Sequence, residues 1–230
     1  MLQVGRVLRS VVTVLAVAAF AGCSSDDTPE PDKNVISVDT MRAALLKAAD
    51  IGPTWKDPGE SAAPAELVSI CGADTAAAAV PGKPSPVSAT LSDEGTGGVQ
   101  SLTQHALVYD DAISSATALA TLRAVADACP PSVQKPAKTG DRDEPAYTET
   151  AKTTTLGQGA WNGFVTLRNK QYDKAHAATA DIAVVALTRD NVLLVDQYAI
   201  YRLGKSGASA NPEFSNDWQK LVGSTLSRVK

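Results

Sequence analysis

The stretch ATADIAVVALTRDNVLLVDQYAIY, residues 178–201, decides the fold. Ala178 to Thr188 and Val192 to Tyr201 are β-branched and apolar, and Arg189-Asp190-Asn191 between them is short and polar. Two strand-like runs joined by a compact polar connection predict an antiparallel hairpin. Strand character extends N-terminally from it: Tyr147 to Thr155 is threonine-rich, and Trp161 to Arg168 alternates around Phe164, Val165 and Leu167. Val99 to Tyr109 places Leu102, Ala106 and Val108 on one parity and Thr103, His105, Leu107 and Tyr109 on the other, which predicts a strand with two usable faces.

Helical signals surround these strands. Asp110-Asp111 opens a helix over Ala112 to Ala128, with Ile113, Ala116, Leu122 and Val125 on its apolar stripe, and Cys129-Pro130-Pro131 stops it. Pro212-Glu213 opens a second through Val229, with Phe214, Trp218, Leu221, Val222, Thr225 and Leu226 on one face. Met41 to Ala49 predicts a short helix capped by Asp39 or Thr40 and ended by Ile51-Gly52-Pro53. Leu67 to Ala79, containing Cys71, predicts another, and Ser132 to Pro145 an exposed loop. The strands of the second half follow one another without crossover helices, so the expected class is α+β: a largely antiparallel sheet with helices packed on one face and one disulfide.

The N-terminus carries a different message. Arg6 and Arg9 precede the apolar run Val11 to Phe20, closed by Ala21, Gly22 and Cys23. This is the pattern of an export signal, and thirteen residues between Arg9 and Cys23 fall short of the about 20 needed to span a bilayer. Phe20-Ala21-Gly22-Cys23 resembles the bacterial lipobox, departing from it at Phe20. The resemblance implies cleavage after residue 22 and a diacylglyceryl group on Cys23; the alternative is an ordinary signal peptide that leaves Cys23 a free thiol. SSDDTPEPDKN, residues 24–34, is polar, acidic and proline-bearing, and predicts a disordered tether. The expected organisation is a lipoprotein signal peptide over 1–22, lipidated Cys23 and tether over 23–37, and one domain over 38–230. The expected location is the extracytoplasmic face of a cell membrane.

With Cys23 assigned to lipid, Cys71 and Cys129 form an even pair in an oxidising compartment and predict a disulfide, two buried thiols being the alternative. The formal charge of the whole chain is −4 and the excised segment is basic, so the mature chain is more acidic still. No basic face is evident to neutralise phosphates, which argues against nucleic acid as a partner.

LLKAADIGPTW (45–55), YDDAISSATALATLRAVADAC (109–129) and TRDNVLLV (188–195), followed by the final amphipathic helix, resemble the extracellular sensor domain of PknH-type mycobacterial serine/threonine kinases, also found as free-standing actinobacterial lipoproteins. The resemblance spans most of residues 38–230. It implies an antiparallel sheet, helices bordering a cleft, recognition of an extracellular ligand and no catalytic activity. The family domain has two disulfides where this chain has cysteines for one, and this chain contains no kinase domain, so neither ligand nor output carries over.

Chemical motifs are sparse. His105 and His176 are the two histidines, without a His-x-x-x-His or a nearby cysteine, which disfavours zinc; His105 reads as a packed strand residue and His176 as a turn residue. Gly157, Gly159 and Gly163 have the wrong spacing for a dinucleotide loop and lead into a strand, so a turn or bulge beside Trp161 is expected. No G-x-S-x-G occurs. Asp110-Asp111 suits a helix first turn, and Asp141 to Glu144 runs into Pro145 where a calcium loop needs a ligand. No catalytic residue, metal or cofactor is expected. Trp55 and Trp161 are candidates for a ligand platform, and Trp218 for the core. The functional expectation is a non-enzymatic sensor or binding module for a small-molecule, lipid or cell-envelope ligand, with a lipid carrier built around an apolar acyl-chain cavity as the alternative.

Overall fold

The computed structural model describes residues 35–57, 67–72, 78–93, 99–139, 143–203 and 212–230. Cys23, the expected signal segment and the expected tether up to residue 34 lie outside them. In chain order the elements are α1 (Val38–Ala44), α2 (Ala48–Ile51), β1 (Ser85–Asp93), β2 (Val99–Val108), α3 (Ala112–Asp127), β3 (Ser132–Lys135), β4 (Tyr147–Gln158), β5 (Trp161–Tyr172), β6 (Ala178–Arg189), β7 (Val192–Leu203) and α4 (Pro212–Arg228). The strands form a seven-stranded sheet in the order β1-β2-β7-β6-β5-β4-β3, antiparallel at every pairing.

The 178–201 hairpin is the centre of this sheet. Arg189 pairs with Val192 across the Asp190-Asn191 turn, where Asp190 takes a positive φ of 49°. Asn191 is 1% exposed and ties the turn to two distant segments. Its Oδ1 accepts from Ile36 N at 2.8 Å, and its Nδ2 donates to Ile36 O and Tyr109 O at 3.0 and 2.8 Å. Ile36, near the start of the described residues, is thus fastened to the turn end of the hairpin.

Helices cover both faces of the sheet, which corrects the one-face expectation while the α+β antiparallel class stands. The cause lies in the central strands, which are apolar on both parities. Val192, Leu194, Tyr198 and Ile200 of β7 pack with Ala183, Val185 and Leu187 of β6 under α1 and α4, together with Trp161, Trp218 and Phe214. Leu193, Val195 and Ala199 pack with Ile182, Val184 and Ala186 under α3, together with Phe164, Leu122 and Ile70. Apolar side chains on two faces each require a cover.

Other differences have local causes. The predicted 41–49 helix breaks into α1 and α2, because Leu45 and Leu46 are both buried and Leu46 N donates to Gln104 Oε1 at 2.8 Å. Ser37, not Asp39 or Thr40, caps α1, its hydroxyl accepting from Thr40 N. Residues 67–72 are not helical; 73–77 of that predicted helix lie outside the described residues. The predicted 132–145 loop contains β3, paired with Tyr147–Thr150, and a bridge between Lys138 and Glu144. β1 was not expected: it is an edge strand with only Val87, Leu91 and Asp93 buried, so Ser, Thr and Pro supply most of it.

Gly159 takes the positive φ of 60° in the β4–β5 turn, as expected beside Trp161. Gly163 serves close approach, since a Cβ there would lie 2.0 Å from Ala186 O in the neighbouring strand.

Under α4, Gln104 Nε2 donates to Thr225 Oγ1 at 2.9 Å and to Asp196 Oδ2 at 3.3 Å, while Asp196 Oδ1 has no partner. Asp196 is 1% exposed, and burial pushes its carboxyl up to about 7, the Gln104 bond opposing only in part. Between its ordinary 3.8 and about 7 this group holds a proton in the folded chain that the unfolded chain has released. Stability is therefore expected to be highest near pH 4, to fall as pH rises towards 7 and to level off above. Asp196→Asn should flatten that slope and raise stability at pH 8 by about 2 kcal/mol, measured by urea unfolding across pH.

Candidate ligand-binding cleft

The cleft arises because α3 is too short for the face it covers. Twelve-residue strands such as β6 and β7 run roughly 40 Å, whereas the sixteen residues of α3 span about 24 Å. α3 begins at the turn end: its N-cap Asp111 accepts from Ser114 N at 2.7 Å, and Ser115 Oγ donates to Asp190 O at 2.6 Å. It finishes near the middle of β4, where Thr153 Oγ1 donates to Ala126 O. The Cys71–Cys129 disulfide, with Cα atoms 5.2 Å apart, then joins its C-terminal end to the 67–72 segment. That segment lies on the next part of the sheet, with Ile70 buried and Ser69 O accepting from Arg168 Nη1 at 3.2 Å. Beyond it, among the described residues, no helix covers the α3 face of β5, β6 and β7.

Two adjoining depressions occupy the open part and share Lys170 and Tyr201. One, of about 310 Å³, lies against Val68 and Ser69, with Arg168, Ile182, Gln197, Ala199 and Ser101 on its floor. The other, of about 780 Å³, is bounded by Lys138, Asp143, Glu144 and Pro145 on one side and by His176, Ala177, Ala178 and Leu203 on the other, with Tyr172 between. Both volumes fall in the range of small-molecule sites.

The floor is a ladder of paired charges. Arg168 and Glu149 form a salt bridge, Nη2 to Oε1 at 2.5 Å, with side chains 4% and 3% exposed. Two residues along, Lys170 Nζ donates to Glu144 Oε1 at 2.8 Å and stands 4.2 Å above the Tyr147 ring. Tyr172 OH donates to the same Glu144 oxygen at 3.0 Å. Burial disfavours the Lys170 ammonium, but the Glu144 bond and the neighbouring Tyr201 and Tyr147 outweigh it and raise its pKa. Burial likewise raises the phenols of Tyr147 and Tyr172, so both stay neutral. Part of the rim is apolar and exposed: Tyr201 and Leu203 are 38% and 86% exposed, and Val99, paired with Tyr201 in β2, is 48% exposed.

The residues singled out in the sequence are mostly elsewhere. His105 is buried in β2, with Nδ1 2.9 Å from Ser88 Oγ, and burial lowers it to about 4, which keeps the imidazole neutral. His176 lies at the cleft rim, its Nδ1 2.9 Å from Asp173 Oδ1 on the same turn. Trp161 of β5 and Trp218 of α4 are core residues of the same cluster and Trp55 packs against it, so none of the tryptophans is a cleft platform. Asp111 is a helix cap and Asp93 accepts from Thr54 Oγ1. Among the described residues no three His, Cys, Asp or Glu side chains are grouped to hold a metal, and no helix is long and apolar enough to cross a membrane. Of the cleft residues, Asp143, Glu144 and His176 were weighed in the sequence, for calcium and for zinc, while Lys170, Tyr172 and Tyr201 were not. The available signal was Arg168, Lys170 and Tyr172 on one parity, continuing β5 past its expected end.

Fold and cleft together define a class, an α+β domain whose central antiparallel sheet is covered on one face and half-covered on the other. No family model matches the chain, and no curated protein or solved structure matches it either.

Proposed function

We propose that this chain is a non-enzymatic binding or sensor module, held to the outer face of a cell membrane through Cys23, that receives its ligand in the cleft on the α3 face. The observation that carries the reading is the cleft itself: buried, mutually neutralised charges form its floor beside the exposed Tyr201 and Leu203. Fixed polar groups set among apolar walls orient a ligand, and that composition is typical of binding sites. The PknH-type resemblance points the same way.

The lipid-carrier alternative needs an apolar cavity for acyl chains. The packed cores on both faces and the charged cleft floor favour the binding module over it.

Two experiments test this. Cys23→Ala should move the chain from the detergent to the aqueous phase and remove a diacylglyceryl mass; continued partitioning with that mass would refute the anchor. Native mass spectrometry of the chain purified from its own host should reveal a retained small molecule that Lys170→Met releases. Equal retention by that variant would move the site elsewhere.

A further inference from the structure

The cleft's chemistry narrows its ligand, and we propose that it accepts a neutral oligosaccharide; this rests on the cleft reading above. The first argument is charge. Lys138 and Lys170 face Asp143 and Glu144 in equal and opposite number, Lys170 is already bonded to Glu144, and Arg168 to Glu149. A polyanion gains affinity by meeting an excess of cationic groups, and among the described lining residues the cations are matched by acidic partners. A strongly charged ligand of either sign would have to displace an existing pair from a floor where the Lys170 side chain is 3% exposed.

The second argument concerns polar groups. An acyl chain laid across the partly exposed Gln197 and Ser101 would cover their polar side chains without offering them a hydrogen bond. A hydroxyl-rich ligand both donates and accepts, and so satisfies such groups without carrying charge. The third is the rim. Tyr201 is 38% exposed beside Leu203, giving an aromatic body with a polar tip against an aliphatic neighbour. A sugar ring presents a C–H face to such a surface and hydroxyls at its edge. The two depressions join at Lys170 and Tyr201, so the site is a trough, which suits a short chain of sugars better than a compact molecule.

The test is isothermal titration of the Cys23→Ser chain with cellohexaose, maltohexaose, chitohexaose and α-1,6-mannohexaose, against heparin hexasaccharide and oleate. At least one neutral hexasaccharide is expected to bind saturably, with about tenfold loss in Tyr201→Ala and retention in Tyr201→Phe. Tyr201 is at the rim, and unchanged unfolding curves for both variants will show that the fold is kept. Preference for heparin or oleate, no binding across the neutral panel, or full binding by Tyr201→Ala overturns the inference. A host ligand released by Lys170→Met would still support the cleft in that event, so the two readings fail separately.

Discussion

A chain in which Cys71 and Cys129 are both replaced by alanine loses about 4 kcal/mol of folding stability, the loop-closure value for a separation of 58 residues. Urea unfolding without reductant should show the loss as a lower midpoint. The effect reaches beyond stability because of where the bridge lies. It secures the 67–72 segment to the end of α3, and that segment brings Ser69 O to Arg168 and Val68 to the cleft wall. Loss of the bridge should therefore increase amide exchange at residues 67–72 far more than in β6 and β7, whose protection comes from the sheet. Uniform loosening of the whole chain would contradict that assignment.

Arg168→Met alone is expected to cost about 3–5 kcal/mol, because it leaves Glu149 charged and buried without its partner. The double change Arg168→Met, Glu149→Leu should recover most of that loss, since replacing both members of a buried pair by apolar groups is often close to neutral. The recovery separates a buried-charge penalty from simple loss of packing, which the second substitution would not repair. It also predicts a split between stability and binding. The double variant regains its fold but leaves Ser69 O without its donor and removes a charged pair from the cleft floor, so ligand retention should stay impaired.

What the sequence made legible followed from local pattern. α3 and α4 were readable because each carries one helical period, the 178–201 hairpin because two β-branched apolar runs flank a short polar connection, and the disulfide followed from counting cysteines once Cys23 was set apart. β1 escaped because an edge strand needs little apolar content: Val87 and Leu91 are its buried apolar residues, and the rest reads as a polar linker. The second cover of the sheet was implied by the double parity of residues 99–109, yet not drawn out, since the parity of one strand does not say which helix lies over which face. The cleft was hardest to see. Glu144, Lys170 and Tyr201 stand far apart in sequence, and only the register Lys170↔Ala180↔Tyr201 and the bridge at Lys138 and Glu144 bring them together. Glu144 came from a segment read as loop, and Lys170 and Tyr172 from beyond the expected end of a strand. Long-range pairing created the site, and no local spacing records it.

The cleft is tested most directly by chemical-shift mapping of the isotopically labelled Cys23→Ser chain on addition of a soluble cell-envelope extract from its host. The predicted perturbations fall on Ser101, residues 168–172, residues 176–178 and residues 197–203. Perturbations centred on α1 and α4, or none at saturating extract, would contradict the account.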